Sequence, residues 1–282
     1  MPDPKQLQFL LKLLDDESDV VRESVAKELL AYGDTLEVEL KRQHIQPSKQ
    51  QEEFIKLLRE DFRWRRLKSQ WGIWQQISDS REKLETALCL LSEYISSLPS
   101  GEVITKMLND LALDFSKTQR IIDARWLSRF LFSFKGFHGA IDYYYNPENS
   151  SLHFVLTKKK GIPISLTAVY ILVGKRLGLD VEGCNFPGHF LARAKLGDEV
   201  VIVDCFHGGR ILDREAIAAS NPTVHITMED ILRLETTPDV MISRTLRNLV
   251  HSYEQRGDIT SRDHIKSLLE TMSEEEQEGE KE

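Results

Sequence analysis

The 282-residue chain is 41% hydrophobic and 29% charged, an ordinary globular composition that excludes collagen-like, low-complexity and small disulfide-scaffold proteins. Its net charge is −8, of which Glu274–Glu282 contributes −5 through six Glu and one Lys, so the body is near neutral and not built to neutralise phosphates. At about 100–200 residues per domain, this length predicts two folding units.

The N-terminus carries acids directly after its apolar stretch and no small-residue cleavage pattern, unlike a secretory signal. The uncharged run Gly161–Gly174 has 14 residues, short of the roughly 20 that span a bilayer. Three cysteines, Cys89, Cys184 and Cys205, are odd in number and lack CxxC spacing. These features together predict a cytoplasmic protein with reduced thiols, no membrane association, no metal site and no cofactor.

From Lys5 to Leu30, Leu7, Leu10, Leu11 and Leu14 form one apolar helical face and Val21, Val25 and Leu29 a second, predicting a helical hairpin broken at Asp15–Asp19. Ser18 and Asp19 are candidate N-caps and Gly33 a stop. The stretch resembles a single HEAT-type unit with no second clear copy. Residues 51–115 continue helical. There Lys56, Arg59, Arg63, Arg65, Arg66 and Lys68 interleave with Trp64, Trp71 and Trp74, a pattern open to two readings. One is a nucleic-acid surface; the other, favoured because Glu60 and Asp61 share the helix, is core tryptophans with a solvated basic face.

Near residue 116 the pattern turns aromatic and ends in turn residues. KKKGIPISLTAVYILVGKRLGLD then predicts a helix, with Pro163 in its first turn, Lys175 and Arg176 in its last and Gly178 as its stop. Its interior is apolar nearly all round, which marks a central core helix. Short strand-like runs follow, HFLARA and EVVIVDCF, flanking a turn at Leu196–Glu199. If Gly197 and Asp198 are its central pair, Leu196 faces Glu199 and His189 lies opposite Phe206. Alternation then places Asp204 diagonal to His189 and within its reach, while Cys205 points to the opposite face as a buried thiol. A one-residue slip would reverse this assignment.

A helix N-terminus beside a His–Asp pair supplies two of the three parts of a papain-type site, although an ordinary structural pair has the same spacing. The segment DYYYNPENSSLHFVLTKKKGIPISLTAVYILVGKRLGLDVEGCNFPGHFLARA, followed by VDCFHGGRIL, resembles the SirB-type transglutaminase-like family, a domain also found in some eukaryotic F-box proteins. The markers are GIPISL, RLGL, FPGHFL and FHGGR. The resemblance implies an α+β fold: a papain-like transglutaminase core over 116–235, preceded by a helical region over 1–115. It is followed by a helix-turn-helix appendage over 236–272 that turns at Arg256–Asp258. The acidic composition beyond it predicts a disordered tail over 273–282.

Carried over to this sequence, the family's catalytic His falls on His189 and its Asp on Asp204. Its cysteine belongs two residues after Gly161, where Pro163 stands, so acyl-transfer chemistry is not expected. Ser165 is a substitute nucleophile on paper, but serine at a third helical position more often bonds local backbone. Gly161, Gly188, His207, Gly208, Gly209 and Arg210 are candidates for the cleft lining, with a solvated loop as the alternative for His207 and Arg210. Tyr143, Tyr144 and Tyr145 cannot all face the core.

Three functions remain open. The first is a non-catalytic binding or regulatory module that holds a peptide or small ligand in the His–Asp cleft. The second is a hydrolase with His189 as general base, and the third a helical scaffold for a protein partner. Nucleic acid is the least favoured partner, and the oligomeric state is not legible.

Overall fold

The structure, a computed structural model, describes residues 6–32, 35–96, 100–186, 189–197, 199–212 and 236–279. Gly33, Gly188, Asp198 and the 213–235 part of the expected core lie outside the described residues. The chain forms two compact units, Met1–Ser69 and Gln70–Glu282.

In the first unit α1 (Leu7–Leu13) and α2 (Asp19–Leu30) form the expected hairpin, followed by α3 (Thr35–Arg42) and most of α4 (Lys49–Gln75). Leu7, Leu11, Leu14, Val25 and Leu29 meet in one core with Leu36, Leu40 and Ile55. Ser18 does occupy the N-cap position of α2 but makes no side-chain cap bond. Instead, Asp16 Oδ1 accepts the Ser18 backbone N–H at 2.9 Å. In α4, Glu60 and Asp61 face Lys56 and Arg65 as i,i+4 ion pairs.

The second unit begins inside α4, where Trp71 and Trp74 are buried and meet edge to face at 5.4 Å, so both are core residues. It continues through α5 (Ser80–Ser96), α6 (Gly101–Thr118), α7 (Ala124–Ser128) and a π-helical turn, Arg129–Phe134. Next come β1 (His138–Gly139), a 3-10 turn Pro147–Ser150, α8 (Leu152–Lys158), β2 (Lys160–Gly161) and α9 (Pro163–Arg176). The antiparallel sheet β3 (Val181–Cys184), β4 (Leu191–Leu196), β5 (Glu199–Asp204), β6 (Arg210–Leu212) follows in that spatial order. Two helices close the unit, α10 (Pro238–Gln255) and α11 (Ile259–Gly279).

Every residue of α9 from Pro163 to Gly174 is buried, as its all-round apolarity requires. The stop is the expected one: Gly178 has φ +72°, and the Leu179 N–H returns to Gly174 O at 2.9 Å, a Schellman closure. One side of α9 lies on β3 and β4. At Gly174 the approach is so close that a Cβ would stand 2.5 Å from Val181 Cγ2. The predicted register holds, with Leu196 paired to Glu199 and Ala192 to Val203.

The boundary expected at 115/116 is corrected. Helices α5 and α6 pack on α8 and α9, and α10 packs on α5, so neither the second half of the N-terminal region nor the C-terminal hairpin is an appendage. A helix buried all round needs cover on the side away from the sheet, and α5 and α6 provide it. Arg176 at the end of α9 binds both Glu85 carboxylate oxygens at 2.7 Å and Asn109 Oδ1 at 2.7 Å. The hairpin turn falls where expected, with Gly257 at φ +69° and Leu246, Leu249, Tyr253 and Leu268 buried. The tail expected to be disordered from 273 is helical through Gly279, because Glu and Gln propagate a helix once it is nucleated even without an apolar face.

Candidate functional site: a carboxylate between two histidines

At the end of β5 lies Asp204, whose side chain is 5% exposed. Its pairing with Arg210 across β5 and β6 and the backbone bond from Gly209 N to Asp204 O at 2.8 Å fix the carboxylate at the mouth of a tight turn. His189 enters just before β4 and, as the register predicts, reaches it: His189 Nε2 lies 3.1 Å from Asp204 Oδ1. The same carboxylate holds a second imidazole, with His207 Nδ1 at 2.7 Å from Oδ2 and the His207 backbone N–H donating to Oδ1 at 3.1 Å. Arg210 adds a guanidinium at 3.6 Å. Burial alone would raise the Asp204 carboxyl, but the bonds from His189 and His207 outweigh it and hold the group well below the usual carboxylate range.

Gly208 and Gly209 make this geometry, both at positive φ, +79° and +69°. Gly209 also sits where no side chain fits: its carbonyl accepts from Ser128 Oγ at 2.6 Å, and a Cβ would stand 2.2 Å from that oxygen. Phe206 forms one wall, edge-on to His189 at 6.3 Å and to Tyr144 at 6.1 Å. Tyr144 in turn meets Tyr145 at 5.2 Å, and Tyr145 meets His251 at 4.7 Å. All three tyrosines are exposed, Tyr143 the most at 87%.

Two contributors escaped the sequence reading. Gly139 is one: its Cβ would lie 2.7 Å from the Phe206 ring, and only its place beside Gly161 in the β1–β2 pair reveals that need. Arg244 is the other, bonded to Asn185 Oδ1 and stacked over Phe190 at 5.3 Å. No local signal links residues 59 apart in sequence.

Pro163 is the first residue of α9. Ser165 is 4% exposed and fully engaged: it accepts from Ile162 N at 3.1 Å and donates to Asn149 O at 2.7 Å. That is the local backbone role expected of it. Gly161 permits this arrangement, since a Cβ there would meet Ser165 Oγ at 2.6 Å. All three cysteines are free and buried. Cys205 lies beside Thr167 of α9 and burial pushes its thiol above the ordinary range. Cys184 packs on the opposite sheet face with Phe186, Leu191, Ile202 and Leu212, where burial pushes it up to about 11. For Cys89, burial, with Glu85 and Glu93 adding to it, pushes the thiol up to about 12. With ordinary thiols near 8.5, all three keep their protons at pH 8 in the folded chain. Reaction with a thiol-specific disulfide reagent should therefore be slow in buffer and complete in guanidinium chloride. A thiol titrating rapidly in the native protein would contradict the burial.

An apolar helix packed on an antiparallel sheet that ends in a buried Asp bound to His defines an α+β protein with a His–Asp pair at the sheet's end. The chain belongs to the transglutaminase-like superfamily: residues 84–247, more than half its length, match the model of that family. The match starts in α5, which agrees with the helical cover being part of the same unit. A UPF0162 protein of Xylella fastidiosa is 44% identical over 91 residues, 32% of each chain, and one of Haemophilus influenzae is 27% identical over 108 residues, 38% of this chain and 39% of that one. F-box only protein 21 of Mus musculus is 35% identical over 98 residues, 35% of this chain and 15% of that protein. The chain thus spans about a third of the bacterial relatives it matches and less of the mouse one. No solved structure matches the chain at a significant level. No helix among the described residues is long and apolar enough to cross a membrane.

Proposed function

We propose that the chain is a cytoplasmic, non-catalytic binding or regulatory module of the SirB-type branch, which keeps the His189–Asp204 cleft to hold a ligand and has lost the superfamily's thiol chemistry. The observation that carries this reading is Pro163 in the first turn of α9, where the resemblance puts the nucleophile. Among the described residues around it no substitute is at hand. Ser165 spends its hydroxyl on backbone, and Cys184 and Cys205 are buried thiols raised by desolvation, the opposite of a reactive cysteine. The ligand class that fits a cleft walled by Phe206 and Tyr144 and rimmed by His207 and Arg210 is a peptide or small polar molecule.

One observation favours a second reading. Because Nε2 of His189 is the nitrogen on Asp204, the proton there leaves Nδ1 as the acceptor, the arrangement of a general base oriented by a carboxylate. The two readings separate in an assay of amine incorporation into a glutamine peptide and of hydrolysis across an amide and ester panel, with His189→Ala alongside. The module reading expects no turnover above the His189→Ala background; turnover that depends on His189 would overturn it.

A further inference from the structure

The second imidazole on Asp204 has no use in a His–Asp dyad. A base needs one carboxylate to orient it, and His207 instead places another nitrogen on the free oxygen of the same group. His189 Nε2, an Asp204 oxygen and His207 Nδ1 all lie within 4.8 Å of one another. From these three atoms we infer that the cleft is a divalent transition-metal site, with His189, Asp204 and His207 as ligands and a zinc-like ion as the cargo. This deepens the binding reading above and rests on it: the cleft binds, and the metal is what it binds first.

The donor chemistry and spacing agree with that assignment. Two imidazoles and one carboxylate suit Zn2+, Co2+ or Fe2+ rather than Ca2+ or Mg2+, which take oxygen ligands. Ligands at about 2.1 Å from a tetrahedral zinc stand about 3.4 Å apart. The nitrogen–oxygen separations here are 3.1 and 2.7 Å, so an ion enters by parting the pairs by about 0.3 and 0.7 Å and drawing the two imidazoles around it, which side-chain rotation of the exposed His207 allows. The proton on each ligating nitrogen moves to the other ring nitrogen, which leaves the imidazoles neutral and the Asp204 carboxylate ionised. His189 is 19% and His207 51% exposed at the side chain, so solvent or a ligand oxygen completes the coordination. The opposing charge is Arg210, but its side chain is 64% exposed and free to swing away. The sequence expectation of no metal rested on cysteine spacing, which says nothing about histidines 18 residues apart joined through a strand end.

The test is a titration of the full-length, EDTA-stripped protein with Co2+, followed by visible absorption and by competition with Zn2+. The wild-type chain should take up one equivalent with ligand-field bands of a nitrogen–oxygen site. Because even partners that only orient a ligand cost 10–100-fold when removed, His207→Ala should weaken binding by about a hundredfold or more. Arg210→Ala, which removes the competing charge, should tighten it by about severalfold. His207 lies on the turn and Arg210 at the start of β6, both with largely exposed side chains, and circular dichroism checks that the variants fold. No stoichiometric uptake by the wild type, or uptake by His207→Ala or His189→Ala as tight as the wild type's, would overturn the assignment, the latter by placing the ion elsewhere. The turnover assay run on metal-free protein judges the module reading separately: His189-dependent turnover there defeats that reading whatever the titration gives.

Discussion

Replacing Glu85 with alanine is expected to destabilise the protein by about 3–5 kcal/mol, the cost of stranding one partner of a buried ion pair. Glu85 and Arg176 are 11% and 6% exposed at their side chains, and the carboxylate takes both contacts from one guanidinium nitrogen at 2.7 Å plus the Thr105 hydroxyl at 2.7 Å. Without Glu85, the Arg176 charge stays buried at the end of the central helix with only Asn109 and the Leu172 carbonyl as acceptors. Chemical denaturation followed by circular dichroism reads the loss as a lower midpoint. The double variant Glu85→Leu/Arg176→Met should recover much of it, since apolar replacement of a whole buried pair is often neutral or better. A loss below about 1 kcal/mol in the single variant would place the pair among solvated surface bridges and weaken the assignment of α5 to the core unit.

A second large effect is expected at Gly209. Alanine there must hold φ +69°, at a cost of about 1–2 kcal/mol. Its Cβ must also displace Ser128 Oγ at 2.2 Å and Phe132 Cδ2 at 2.3 Å, side chains that are buried, adding about 1–3 kcal/mol of overpacking. Gly208 is the natural control: its φ is also positive, +79°, but a Cβ there meets nothing within 4 Å, so Gly208→Ala should carry the backbone cost alone. Thermal unfolding of the two variants should therefore rank Gly209→Ala well below Gly208→Ala. A functional consequence follows, because the same turn carries His207 to Asp204; Gly209→Ala should weaken Co2+ uptake even where the chain remains folded. Equal melting temperatures for both variants would mean that the turn relaxes freely and does not preorganise the site.

Most of the His–Asp geometry was legible because it depends on local rules. A two-residue turn between Leu196 and Glu199 and the period-2 alternation of strands are enough to bring His189 and Asp204 together, and the paired register reproduces that reasoning residue for residue. The central helix was equally readable. Its proline start, glycine stop and all-round apolarity are properties of the 16 consecutive residues Pro163–Gly178, and every one of them reappears in α9 and its closure. Ser165 was readable too, because a serine in a first turn bonds the backbone next to it.

The domain boundary was not legible, since periodicity reveals that α5 and α6 have apolar faces but not which surface they cover. That depends on α9 having a second side to bury. Nor could the sequence reveal that His207 shares the carboxylate of Asp204. Its position follows from two consecutive left-handed glycines and from Ser128 and Phe132 closing on the turn from 81 and 77 residues away. By itself, then, the sequence determined the elements, the hairpin register, the His189–Asp204 pair and the position of Pro163 at the start of the central helix, because each is set by neighbours along the chain. Only the tertiary structure decided which helices form the core and that Asp204 holds two imidazoles, because those contacts are made by residues whose only link is the packing between them.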